Sequence, residues 1–243
     1  MSMFFIANSL VDGFLGSNAV GRGIVIIQLC LSVGMVAAII GKWRELRFVA
    51  SAARRFLRDF ATGSDVLEYY LNRRPTVVSG IELIYKETCE RLLKLLAPDT
   101  RSLLVGRGAD GNGAAALTSR EIELIKSSCE HALDEEETDV EAGMPLIATV
   151  VALSPMLGLL GTVWGVLDAF ADMGTAGSAN LATIAPSISS ALVTTVVGLI
   201  IAIPGVIAFN AMNAKIRDIH IEMEGFADEL NGRIACEYQG RGI

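Results

Sequence analysis

The chain has 243 residues, 52% hydrophobic and 19% charged, with a formal net charge of -7; a mean hydropathy of +0.49 is more apolar than an ordinary soluble domain of this length. That balance points to a membrane protein, and the acidic surplus argues against a nucleic-acid partner. Cys30, Cys89, Cys129 and Cys236 are widely spaced with no CxxC pair, which argues against a metal site or a disulfide framework.

The first residues, MSMFFIANSLVDGFLG, lack a basic stretch and a small-residue cleavage site, so they do not read as a removable signal peptide. Phe4, Leu10, Val11, Phe14 and Leu15 make an apolar stripe, and residues 1–21 are expected to form a short helix on the outer membrane interface. Three nearly uncharged stretches follow, Gly23 to Gly41, Met144 to Leu167 and Leu181 to Met212. Each is long enough as a helix to cross a hydrocarbon core of roughly 30 Å. Runs such as IVIIQLCLSVGMVAAII are apolar on every side and show no period-two alternation, so the spans are helical. Spans are assigned to residues 22–41, 144–172 and 183–212.

Lys42, Arg44, Arg47, Arg54, Arg55 and Arg58 follow the first span, and Lys215 and Arg217 follow the third, whereas the link at 173–182 carries no Lys or Arg. The positive-inside rule therefore places 42–143 and the tail 213–243 in the cytoplasm, with the N-terminus and the link outside; Arg22 is the dissenting cation. Segments from Trp43 to Thr62, Gly80 to Ala97 and Ser119 to Val140 show helical periodicity, capped by Asp65 and by Thr118 or Ser119. This region reads as a helical hairpin with no catalytic domain and no cofactor motif. GRGADGNGAAA, Gly106 to Ala116, matches neither dinucleotide nor Walker spacing and reads as a loop. His131 and His220 read as solvated or packed side chains. The acidic run holding Glu135, Glu136, Glu137, Asp139 and Glu141 is ordinarily a solvated face, but in a ring of subunits it would make a cation-gathering vestibule.

A helical wheel places Thr183, Ser187, Ser190 and Thr194 within about 60° of one another on the third span. Beside them run Ala191, Thr195, Gly198 and Ala202; Leu192, Val193, Val196, Val197, Leu199, Ile200 and Ile203 occupy the far side. On the second span Ser154, Gly158, Gly161, Thr162, Gly165 and Ala169 share a face opposed by Leu153, Met156, Leu160, Val163 and Leu167. Small residues permit close helix packing in lipid, and a hydroxyl can bond its own preceding turn. The same faces could instead line a water-holding channel, but the middles of both spans contain no carboxylate to carry a proton. A titratable group would have to come from another subunit.

LSPMLGLLGTVWGVLDAF, Leu153 to Phe170, and IAPSISSALVTTVVGLIIAIPGVIAFN, Ile184 to Asn210, resemble the two signature spans of the MotA/TolQ/ExbB proton-channel family, in its TolQ/ExbB branch. The resemblance covers nearly the whole chain, and it implies an all-α membrane protein with three transmembrane helices reaching far into the cytoplasm. It further implies a homopentamer in the bilayer of a bacterial inner membrane. Within the ring would sit a single-span partner of the ExbD or TolR kind that supplies a membrane aspartate, and a TonB- or TolA-like protein would pass on the work. The pore threonines of the family fall on Thr162 and Thr195, with Ser187, Ser190 and Thr194 adding polar contacts and Gly158, Gly161, Gly165 and Gly198 permitting close approach. Where many relatives read GIAEAL this chain reads SISSAL, so Ser190 stands where a glutamate is frequent, and a hydroxyl-lined path suits sodium as well as protons. A passive helical scaffold and a motility stator are the rival readings. An enzyme is disfavoured because no nucleophile, base and orienter occur at credible spacing.

Overall fold

A computed structural model describes residues 19–61, 66–72, 80–96, 117–176 and 181–238. The N-terminal apolar stripe, the Asp65 cap and the glycine-rich loop lie outside the described residues. Among the described residues six helices appear in chain order: α1 Ala19–Ala61, α2 Val66–Asn72, α3 Gly80–Leu95, α4 Ser119–Glu141, α5 Met144–Ala176 and α6 Leu181–Tyr238. Three long helical stretches, Ala19–Ala61, Ser119–Gly174 and Ile184–Tyr238, contain windows apolar enough to cross a membrane.

Two boundaries differ from the sequence expectation. The first span and the helix expected from Trp43 are one continuous helix, because no proline or glycine interrupts the chain between Lys42 and Ala61. The short α2, VLEYYLN, was not anticipated: seven residues give too few turns for a periodic signal. The α4 start agrees with expectation. Thr118 caps it, and a capping box forms: Thr118 Oγ1 accepts from the Glu121 amide at 3.3 Å while the Thr118 amide donates to Glu121 Oε2 at 2.8 Å. These bonds hold the Glu121 carboxyl below its usual range. At its other end α4 stops at Ala142–Gly143, where Gly143 takes φ +82°, a left-handed conformation that glycine adopts without steric cost.

The chain divides into two compact units. The hairpin unit, Arg44–Ala142 with Asn213–Ile243, is built like a water-soluble bundle, with α3 packed along α4. On α6, Ile216, Ile219, Met223, Phe226, Leu230 and Ile234 are buried, a three-and-four spacing that keeps one stripe on the core. Leu46, Ala50, Ala53, Phe56 and Phe60 do the same on α1. At one end Phe56, Phe60, Tyr69, Tyr85 and Phe226 form an aromatic cluster with most pairs edge-to-face, the geometry favoured by ring quadrupoles. The Tyr85 hydroxyl donates to the Val66 carbonyl at 2.5 Å, and the Arg233 guanidinium lies 4.7 Å from the Phe60 ring centre.

The span unit takes the chain up to Trp43 together with Gly143–Met212. Its apolar side chains point mostly outward: Ile26, Ile27, Leu29 and Val33 on α1, Met156, Leu159, Val163 and Leu167 on α5, and Leu192, Ile200, Ile203 and Ile207 on α6 are exposed. Such a surface needs lipid or neighbouring helices around it.

The aromatic cluster generates a stability prediction. Phe60→Ala leaves a cavity among four rings and is expected to cost about 3–5 kcal/mol. Tyr85→Phe removes one buried hydrogen bond and costs about 1–2 kcal/mol. Denaturant unfolding of the purified protein, followed by helical circular dichroism, checks that order.

Candidate functional site

The weakly polar faces of the second and third spans meet each other. Ser154, Gly158, Gly161, Gly165 and Ala169 on α5 are buried, as are Ser190, Ala191, Thr194 and Gly198 on α6. The opposed bulky residues named from the helical wheel, Leu153, Met156, Leu160, Val163 and Leu167, are all exposed. The fit is close because the contacting positions lack Cβ atoms. A Cβ at Gly158 would stand 2.9 Å from Thr195 Cα and 3.1 Å from the Thr194 carbonyl oxygen, and one at Gly161 would strike the Thr194 side chain. A Cβ at Gly165 would run into Ala191, and at Gly198 it would come 2.6 Å from the Ser154 carbonyl oxygen. These four glycines therefore sit where helix backbones touch.

The hydroxyls of this seam are spent on backbone carbonyls. Thr194 Oγ1 donates to Ala191 O at 2.7 Å and reaches Gly158 O at 3.2 Å; Thr195 Oγ1 donates to Gly158 O at 2.9 Å. Ser190 Oγ donates to Ser187 O at 3.0 Å, Ser154 Oγ to Val150 O at 2.8 Å, and Thr162 Oγ1 to Leu159 O at 2.7 Å. Ser187 Oγ bonds Asp172 Oδ2 at 3.2 Å, across from α6 to α5. Ser190 and Thr194 are sealed inside the chain's own packing, at 4% and 1% exposure. Thr162, Thr195 and Ser187 are half-exposed at its border. The side chain of Thr183 lies outside the described residues.

Sequence reasoning missed Gln28. This residue of α1 is wholly buried, and its Nε2 donates to Ser154 O and to Thr194 O, each at 3.2 Å. Both neighbours are acceptors, so the nitrogen is the atom that faces them. One side chain thus joins all three spans. Among the described residues, however, its oxygen is buried without a partner. Interhelical hydrogen bonds in membranes average about 0.6 kcal/mol each, whereas an orphaned buried acceptor costs about 1–3 kcal/mol, so this amide does not stabilise the packing on balance. A lone glutamine in an apolar run has no periodic signature; its polarity was the only available signal.

The acidic run divides by face. Glu135, Asp139 and Glu141 are exposed, whereas Glu136 and Glu137 are half-buried. Burial, then neighbouring carboxylates, raises both of their pKa values above the ordinary glutamate value of 4.5, with Asp139, Glu135 and Glu87 acting on Glu136. For Glu137 the neighbours are Glu224, Asp134 and Glu141, and His220 pulls the other way.

Two predictions follow from these contacts. Gly158→Ala forces backbone apart and is expected to cost about 1–3 kcal/mol, whereas Gly34→Ala, with nothing within 4 Å of the added carbon, is tolerated; thermal melting of both variants in detergent is the check. Because Glu136 and Glu137 bind protons more tightly when folded, their contribution to stability is full below pH 4.5 and is lost as pH rises through their raised values. Glu136→Gln and Glu137→Gln are therefore expected to melt higher than the parent near neutral pH, and the gain disappears toward pH 4.5.

Comparison with known proteins adds to this geometry. The family model described as MotA/TolQ/ExbB proton channel family matches residues 105–225. The chain is 30% identical over 222 residues to the Tol-Pal system protein TolQ of Pseudomonas aeruginosa, covering 88% of this chain and 89% of that one. It is 32% identical over 228 residues to TolQ of Haemophilus influenzae, covering 91% and 92%. The biopolymer transport protein ExbB of Xanthomonas campestris is 34% identical over 125 residues, 51% of this chain and 49% of that one. The matched stretch contains the whole glycine and threonine seam, and the chain belongs to the MotA/TolQ/ExbB proton channel family.

Proposed function

We propose that this chain is the channel-forming subunit of an inner-membrane motor that uses the proton motive force to energise an envelope process. It works as a homopentamer around a single-span partner of the ExbD or TolR kind, with a TonB- or TolA-like protein receiving the work. The N-terminus faces the periplasm and the C-terminus the cytoplasm, as the Lys and Arg distribution favours.

The observation that carries this reading is the division among the hydroxyls. Ser190 and Thr194 are enclosed, while Thr162 and Thr195 remain half-exposed at the edge of the seam. Each of these two has given its proton to a carbonyl, Leu159 O or Gly158 O, so what it offers outward is oxygen lone pairs. Acceptors of this kind suit a hydrated proton, a small cation or the protonated carboxyl of a partner helix, and repel anions. Thr162 and Thr195 therefore line the ion path, Ser187 with Asp172 lies toward its outer end, and Ser190 and Thr194 hold the spans together. One charge crossing 100 mV yields about 2.3 kcal/mol, enough for several charges per cycle to move a protein load. The exposed Glu135, Asp139 and Glu141 gather cations on the cytoplasmic side, where Glu136 and Glu137 contribute less because they are half-buried.

Thr162→Val and Thr195→Val keep the side-chain shape and remove the lone pairs. Both are expected to assemble normally and to lower proton flux into proteoliposomes by roughly tenfold or more, a barrier rise of about 1.4 kcal/mol. Unchanged flux in both variants would remove the ion path from this face and leave a passive scaffold as the better reading.

A further inference from the structure

Gln28 Oε1 is a buried side-chain polar atom of the span unit with no hydrogen-bond partner. Its amide hydrogens go to Ser154 O and Thr194 O, carbonyls that already accept the ordinary i+4 amide bond of their own helices. Neither bond satisfies a group that would otherwise be orphaned. A methionine would fill the same volume without burying an unpaired oxygen, so packing alone gives no reason for an amide at this place.

We propose that Gln28 is a water-binding station of the ion path, contributed by the first span. Its Oε1 accepts a hydrogen bond from a water molecule that enters the three-helix junction when the path conducts. The proposal rests on the ion-path reading given above. Three observations support it. First, the amide is one residue away from the half-exposed hydroxyl: Thr194 O receives Gln28, Thr194 Oγ1 reaches Gly158 O, and Gly158 O also receives Thr195 Oγ1. Second, the free atom is a neutral acceptor and the middles of the second and third spans contain no Asp, Glu, Lys, Arg or His, which fits a neutral donor. Third, the junction is narrow. A single added carbon at Gly198 would come within 2.9 Å of Gln28 Nε2 and 2.6 Å of Ser154 O, so there is no room beside the amide for a bulky ligand. Because Oε1 is enclosed in this structure, hydration requires the seam to loosen and therefore depends on the working state.

The test uses the complex purified from native membranes through a tag on this chain, with Gln28→Met, Thr162→Val and Thr195→Val compared with the parent. Three quantities are read: recovery of the assembled complex, its melting temperature in detergent, and proton flux in proteoliposomes under an imposed potential. Gln28→Met is expected to assemble fully, to melt no lower than the parent, and to conduct severalfold more slowly. A normal rate in Gln28→Met overturns the proposal, and so does poor assembly or a lowered melting temperature, which would make the amide a structural clamp. Normal conduction by Gln28→Met beside a deficit in Thr195→Val removes the water station alone. A parent complex that does not conduct, or normal conduction by both Thr162→Val and Thr195→Val, removes the ion-path reading and this proposal with it.

Discussion

The backbone of Gly158 lies directly against Thr194 and Thr195 of the third span, its carbonyl accepting the Thr195 hydroxyl with Thr194 Oγ1 close beside it, and the arrangement of the span unit follows from making that approach possible. In lipid, apolar surface gives helices no reason to associate, so contact must come from close packing and from polar groups that have nowhere else to go. Gly158 brings its backbone near enough because it has no Cβ to meet Thr195 Cα. The adjacent positions extend the approach in both directions, Gly161 on the Thr194 side chain and Gly165 on Ala191. On the other side, Gly198 and Gly205 let Gln28, Met35 and Val151 reach the third span. The bulky residues are left outside, where neighbours or acyl chains satisfy them.

The same chain solves a different problem in its other unit. Water makes burial favourable there, and the α6 stripe from Ile216 to Ile234 and the aromatic cluster around Tyr85 are ordinary consequences. The helices α1 and α6 contribute to both units, so within one helix the rule for which residues turn inward reverses. Along α6 the span part buries Ser190, Thr194 and Gly198 and exposes Leu192 and Ile200, whereas the later part buries Ile219, Met223 and Leu230.

Much of this was legible in the sequence, for a physical reason. Small residues at helical spacing on two apolar segments leave a readable face, and most of the bulky residues opposite them are exposed, with Val193 and Val197 half-buried. The Thr118 cap was equally readable because its chemistry is local. What could not be read depends on tertiary neighbours. Nothing about Thr194 and Thr195, adjacent and chemically identical, says that one is enclosed and the other half-exposed. The run of acids gives no sign that Glu136 and Glu137 turn inward while Glu135 and Asp139 do not. Gln28 is the extreme case, since its partners are on two other helices 126 and 166 residues away.

On the proposed reading, the hydroxyl protons bear on how an ion path without its own carboxylate can favour cations. A hydroxyl in water is both donor and acceptor and would serve either sign of charge. Once its proton is fixed on a carbonyl, as at Thr162 and Thr195, only the acceptor remains. The helix backbone thus sets the polarity of the surface with no charge placed in the membrane, and it avoids the desolvation cost that a permanent carboxylate would carry. On the proposed reading this division suits a rotating or sliding partner. The titratable group travels with the partner, and the surface it passes stays uncharged and rich in acceptors, so the protonated carboxyl can donate to one hydroxyl oxygen after another without a deep electrostatic trap. The serine at position 190 fits that scheme. It is enclosed, bonded to Ser187 O, and adds no fixed charge to the packing behind the half-exposed hydroxyls.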